Sequence, residues 1–474
     1  MQKIIYFLML LIVGCSSSIP KPPSSMDIPK HTKSGVKIVN SNEDLSRVKW
    51  WRKLHDKELN KLINEALRRN YQLKSAEANI LVAKSKLNEA HYSWLPTLNA
   101  AGYGFVGGGA DTNITPQGAL ARSGIVSQLN TIRFNGYTAG FMPQYSVNIL
   151  ANMQNINYAK ASLEVQKATY QSTRLSIISQ ITGAYFMLLG QKEQLRAEVK
   201  LIKDLQKLRQ LEWVRYKQGE SDLSQVADLD VQIADSKANI PGIENSIAED
   251  SNAISSLLSR YPKNIHSSKD FMQLSVNKLV PARLPSTVLK NRPDVMIAIA
   301  SLKMAEYKLG IAYSNYFPAL SLTSNLGTLG FELSRLLSLS TGLLFLEAGG
   351  SIPLLNGVTY EQIKEAKRGY YADFYSYLQT LIAVFTDVDN TLTNLQKANR
   401  AYQDKFTSWR NNKKVYKLAL ARYKAGSTDK RDLIKAQYNV DMAKLNLILA
   451  KMQQFDGIVE VYQAVAGGYE EGCV

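Results

Sequence analysis

The sequence predicts an α+β membrane protein in which four β-strands per chain join those of two further copies in a twelve-stranded β-barrel continuous with a long barrel of α-helices. Three observations lead there. The chain repeats itself in tandem, each half holds a stretch of about 65 residues without an interior Pro, and beyond each Pro-terminated helical pattern the residues alternate with period two.

The first 18 residues carry one Lys, an apolar run from Ile4 to Val13, then Gly14-Cys15 and serines. That run is too short for a permanent transmembrane helix and reads as a signal peptide over 1–14. Ile12-Val13-Gly14-Cys15 resembles a bacterial lipobox, which makes Cys15 the acylated first residue of the mature chain; an ordinary signal peptide with a stray Cys is the alternative. Ser16 in the second mature position resembles the outer-membrane sorting pattern. Pro20, Pro22, Pro23 and the polar residues after them extend this start into a tether over 15–47. Trp50 and Trp51 are expected in the core. Since no later apolar run is long enough for a membrane helix, any crossing must be made by strands.

The first helical pattern runs as one segment from Leu59 to Tyr92, with small and apolar residues at three- and four-residue steps, and stops near Pro96. Its counterpart runs from Pro293 to Asn315, opened by Arg292-Pro293-Asp294: Pro suits the first turn and Asp the helix dipole. A shift of 222 positions lays Ala76–Leu98 on Ala298–Leu320, with Pro96 on Pro318. Next come the strands. Leu320, Leu322 and Ser324 alternate with Ser321, Thr323 and Asn325, and Gly342–Ser351 is rich in Gly, Leu and Phe. Tyr103, Phe105, Tyr137, Phe141 and Phe331 fall in strand segments, as interfacial belts or as barrel-wall packing. A shift of 205 aligns Ser146–Leu150 with Ser351–Leu355, so the first half carries about 17 extra residues, read as an enlarged loop between Pro96 and Ser146.

The long helices follow, Asn152–Lys217 and Tyr360–Lys424, each reaching ~100 Å at 1.5 Å per residue. Such lengths must pack side by side. Each ends in a nearly identical phrase 207 positions apart, "RYKQGES" from Arg215 and "RYKAGST" from Arg422. Gly219 and Gly426 can take the left-handed conformation that closes a helix, and Asp222 and Asp429 can cap the returning ones. The return helices are placed at Leu223–Leu258, which Pro241-Gly242 should interrupt with a bend, and at Lys430–Val465. The halves divide as 48–265 and 266–474. A phosphate-cradling loop is excluded at the repeated phrase, which lacks the Gly-rich spacing and βα context.

Composition narrows the function. The 57 basic and 40 acidic residues give +17, but Lys and Arg are scattered along helical segments, unlike a nucleic-acid-binding block. Four His stand at no ligand spacing and the only Cys are Cys15 and Cys473, so a structural metal site or disulfide framework has little to build on, and no cofactor is expected. No Ser/His/Asp set or paired-carboxylate cleft emerges, so no enzyme is expected. Four strands cannot close a membrane barrel, whose smallest type uses about eight, whereas three copies supply twelve. The strand end would then sit in the outer membrane and the helix end project into the periplasm.

Several stretches together resemble one family: "WWRKLHDKELNKLINEAL" from Trp50, "NRPDVMIAIASL" from Asn291, "YFPALSLTSNLG" from Tyr316, "SIPLLNG" from Ser351, the RYKxG corners and "AVAGGYEEG" near the end. They are similar to the outer membrane factors of tripartite efflux systems, the TolC and OprM type, nearest its lipoprotein branch. The resemblance covers about Val48 to Gly472. It implies a homotrimer, contact with outer membrane lipid, a periplasmic adaptor docking at corners that include Arg215, Tyr216, Gly219 and Gly426, and an inner-membrane transporter of the RND type. It implies a passive conduit for drugs or other small toxic compounds, gated at the periplasmic helix tips. An export conduit of a type I secretion system, or a lipid-anchored helical spacer without a pore, are the alternatives.

In that family the second corner contributes Arg and Tyr and an acidic residue some thirteen positions on, which hold the tunnel shut. Here Arg422 and Tyr423 match, but the acidic position is Lys435; the acid falls in the first half, at Asp228, with Asp230 beside it. The first corner (Glu220, Asp222, Asp228, Asp230) is acidic and the second (Lys424, Lys430, Arg431, Lys435) basic, so the lock's charges are expected to be redistributed, with neighbouring hairpins attracting across the tip. Solvated charges on helix ends are the other reading.

Overall fold

The computed structural model describes residues 38–39, 48–109, 132–265, 269–275, 284–285, 291–330, 342–353 and 355–469. Cys15, the signal, the tether apart from Ile38–Val39, residues 110–131 of the enlarged loop, Phe331 and Cys473 lie outside them; Ile38–Val39 form a short strand paired in parallel with Leu284–Pro285. In order, the elements are β1 (Ile38–Val39), a 3-10 turn (Trp50–Leu54), α1 (Lys57–Arg69), α2 (Tyr71–Tyr92), β2 (Thr97–Gly109), β3 (Ile132–Val147), α3 (Ile149–Lys217) and α4 (Leu223–Leu257). The second half continues with a 3-10 turn (Phe271–Gln273), β4 (Leu284–Pro285), α5 (Pro293–Ser314), β5 (Ala319–Gly330), β6 (Gly342–Ser351), α6 (Gly357–Lys424) and α7 (Lys430–Ala464). The expected order of helix, strands, long helix, corner and return helix therefore occurs twice.

The described residues form two compact units, each drawing on both halves: those within 83–163 and 303–371, and those within 1–82, 164–302 and 372–474. The first holds an antiparallel sheet of order β2-β3-β5-β6. Its register sets Ala100 opposite Phe141, Phe141 opposite Leu326 and Leu326 opposite Leu344, one row across four strands. Phe141, Leu320, Leu322, Leu326, Leu344 and Leu346 are all exposed, as period-two alternation requires of strands whose apolar face meets lipid. At the centre, Gly140 faces Gly327, and a Cβ on either would run into the other's backbone. Among the described residues no helix is long and apolar enough to cross a membrane.

The second unit is built on a large core. Trp50 stacks on Tyr462 at 4.4 Å with the rings nearly parallel, and Phe455 contacts both Phe186 and Phe271. Buried Asp56 caps α1 by accepting from the amides of Glu58 (3.0 Å) and Leu59 (3.2 Å), while its second oxygen accepts from the Tyr185 hydroxyl (2.9 Å). The start of α5 forms as read: Pro293 opens it, and the Arg292 guanidinium binds Asp294 and Asp387, each at 2.8 Å, and donates to the Ala464 carbonyl at 2.5 Å.

Two expectations are corrected here. The stretch from Leu59 to Tyr92 is not one helix: it breaks at Asn70, which ends α1 and starts α2. Buried Asn70 accepts from the Leu73 amide (3.0 Å) and donates to the Leu257 carbonyl (2.8 Å), so its side chain replaces the helical bonds that the break removes. Nor does Pro241 interrupt the first return helix, since α4 runs through it to Leu257. Pro241 and Gly242 are exposed, so the carbonyl that loses its helical donor is left to water.

Candidate gate at the helix-hairpin corners

Both corners close with the same hydrogen bonds. At the first, the Glu220 amide donates to the Arg215 carbonyl (2.9 Å) and the Gly219 amide to the Tyr216 carbonyl (3.0 Å). At the second, Ser427 donates to Arg422 (2.9 Å) and Gly426 to Tyr423 (3.0 Å). Gly219 and Gly426 have φ of +77° and +69°, the left-handed conformation this closure requires. The returning helices are capped as expected, Asp222 accepting from the Ser224 amide (2.8 Å) and Asp429 from the Asp432 amide (2.9 Å). Those hydrogen bonds from Ser224 hold the Asp222 carboxyl below its ordinary range. The repeated Arg-Tyr pair thus serves the turn through its backbone: its carbonyls are the ones the closure satisfies, which frees both side chains.

The freed side chains differ between corners. Arg215 turns back onto its own hairpin, 3.4 Å from Glu212 and 3.8 Å from Glu220. Arg422 and Tyr423 stay exposed, as do Asp228 and Lys435, and among the described residues none of the three charged groups makes an ion pair. Asp230 is exposed but engaged, held in a two-point pair by Arg209 at 3.0 and 3.2 Å. Arg431 reaches across to the other hairpin and meets Glu212 at 3.7 Å.

Glu212, which the sequence reading missed, is the buried centre of this region. Its carboxylate takes Arg215 of its own helix, Arg431 of α7 and the Ser221 hydroxyl. Two further rungs bind the same pair of helices: Glu193 to Lys444 and Lys200 to Asp441, each at 2.7 Å. As α3 advances from 193 to 212 its partner on α7 recedes from 444 to 431, the pattern of antiparallel neighbours. Burial raises the pKa of Asp204, which adjoins Asp441 and pairs with Lys207 at 2.9 Å. The sequence signal for Glu212 was slight, a lone acid one turn before the corner where the second half has Ala419.

A family model described as outer membrane efflux protein matches residues 62–260 and 284–467. The chain belongs to this family. Among efflux proteins, the curated relatives include the probable efflux pump outer membrane protein TtgC of Pseudomonas putida, 24% identical over 89% of this chain and 85% of the relative. Another is the probable outer membrane lipoprotein SilC of Salmonella typhimurium, 23% identical over 97% of both chains. Among solved structures, the CmeC outer membrane channel of Campylobacter jejuni superposes with a TM-score of 0.80 at 22% identity, covering 97% of this chain and 96% of that one. The open-state MtrE channel of Neisseria gonorrhoeae gives 0.78 at 22%, covering 96% and 99%. This efflux protein is an outer membrane conduit, and its fold is that of channel proteins.

Proposed function

We propose that the chain is the outer membrane channel of a tripartite efflux pump: a homotrimer, anchored through acylated Cys15, that passively conducts drugs or other small toxic compounds from periplasm to exterior. A periplasmic adaptor docks at the hairpin corners, and an inner-membrane transporter of the RND type supplies the work. The chain itself performs no catalysis. Relatives described as antibiotic, toluene and cation efflux proteins support a small-molecule cargo over a secreted protein.

The observation that carries a gate at the second corner is the contrast between two hairpins of identical backbone closure. Arg215 is committed to its own hairpin, while Arg422 and Tyr423 are exposed and free to meet a neighbouring copy. With Asp230 engaged by Arg209 and Arg431 by Glu212, the groups left for a lock between copies are Arg422, Tyr423, Lys435 and Asp228. One exposed pair contributes less than ~1 kcal/mol, so the lock works only as a ring repeated by threefold symmetry.

Single-channel recording of the purified acylated protein tests this. Wild type should show a small, mostly closed conductance that rises in the Arg422→Ala, Tyr423→Ala double variant and in Asp228→Lys. Folded trimers that conduct in neither wild type nor variants would refute the channel. Equal conductance in all of them would refute the gate.

A further inference from the structure

The tandem duplication offers an internal control on charge. Residues 397–435 of the second hairpin contain twelve Lys and Arg against three Asp, a net +9, whereas the equivalent 190–228 of the first contain eight against seven Asp and Glu, a net +1. The two hairpins share their backbone closure, so the fold does not require this excess.

The excess is also uncompensated. Arg410, Lys413, Lys414, Lys417 and Lys424 recur at three-, four- and seven-residue steps, which puts them in one stripe along the last turns of α6. All five are exposed, and among the described residues none is within ion-pair distance of a carboxylate. Lys413 lies over the Trp409 ring at 4.4 Å, which steadies the side chain without neutralising it. Of the three acids in the window, Asp429 and Asp432 sit at the start of α7 and adjoin Arg431, at 4.0 and 3.9 Å. The first hairpin offers little in return: Glu212, Asp204, Asp230 and Glu220 are already paired, leaving Asp222 and Asp228 as the exposed acids without an ion pair near its corner, among the described residues.

We propose that the second hairpin forms an electropositive mouth that makes the channel select anionic solutes. This rests on the trimeric conduit proposed above, in which three second hairpins ring the periplasmic opening and triple the charge. A narrow opening walled by low-dielectric protein focuses such a field, raising the local concentration of anions and excluding cations. From Arg410 to Lys417 successive members of the stripe are at most three residues apart, about 5 Å along the axis at 1.5 Å per residue, inside the Debye length of about 8 Å at physiological ionic strength, so neighbouring cations reinforce one another.

The test is the zero-current potential of the full-length acylated trimer in a planar bilayer under a steep KCl gradient. Wild type should give a chloride-to-potassium permeability ratio above unity that declines toward unity as total salt is raised. The triple variant Arg410→Glu, Lys413→Glu, Lys417→Glu should bring the ratio below unity, and the Gln triple, a milder change that preserves folding, should place it between the two. Conducting wild-type trimers with a ratio at or below unity would overturn the inference and leave the conduit standing. A wild-type preference for chloride that neither triple variant shifts would also overturn it, and would assign the stripe to docking of an acidic partner. No current from folded wild-type trimers would remove the conduit itself.

Discussion

The carboxyl of Asp250, on α4, is held in an unfavourable place. Burial drives its pKa from an ordinary 3.8 to about 6, against a hydrogen bond from Gln191 that pulls the other way. Asp250 Oδ2 and Gln191 Oε1 are both buried without a donor. Asp250→Asn removes the charge and puts an N–H in place of one carboxylate oxygen, where it can meet Gln191 Oε1. A shift of about two units corresponds to at most ~3 kcal/mol, and discounting for the partial exposure of Asp250 leaves about 1–2 kcal/mol per chain. The sign follows from proton binding. Between pH 3.8 and about 6 the folded chain binds more protons than the unfolded one, so wild-type stability from this group rises as pH falls through that window. The Asn variant lacks this dependence. Its advantage is therefore largest above pH 6 and shrinks toward the part due to the new hydrogen bond at pH 4. Urea unfolding of the detergent-solubilised protein, followed by circular dichroism, compares the two proteins at pH 8 and pH 4. A variant less stable than wild type at pH 8, or an advantage that does not change with pH, would refute the reasoning.

Three other outcomes follow from the packing. Gly327→Ala should prevent β3 and β5 from closing and abolish the heat-labile trimer band on a gel, because the new Cβ meets the backbone of Ala139 and Gly140; Gly242→Ala, with open space around it, should leave the band intact. Arg292→Ala should cost roughly 2–3 kcal/mol in urea titration by stripping hydrogen bonds from Asp294, Asp387 and the Ala464 carbonyl. Asn70→Ala should cost about 1–2 kcal/mol, and hydrogen exchange should show the α1–α2 junction opening before the rest of α2, since both the cap on Leu73 and the tie to Leu257 are lost.

Local chemistry by itself determined the duplication, the long helices and the corners. The left-handed Gly219 and Gly426, the caps at Asp222 and Asp429 and the start at Pro293 were legible because each depends on residues within a turn of one another. The alternation of Leu320 and Leu322 likewise revealed a strand, although its partners and register came only from the sheet. What the tertiary structure decided is which charges remain free. Asp228 and Asp230 look alike in the sequence, yet Arg209, 21 positions from Asp230, engages only the latter. Glu212 and Arg431 meet across two hairpins, and Asn70 breaks a helix because the Leu257 carbonyl is there to receive its amide. Periodicity reports which face of a helix is apolar, but a buried ion pair or cap depends on atoms brought together from distant parts of the chain, and no local pattern encodes that meeting.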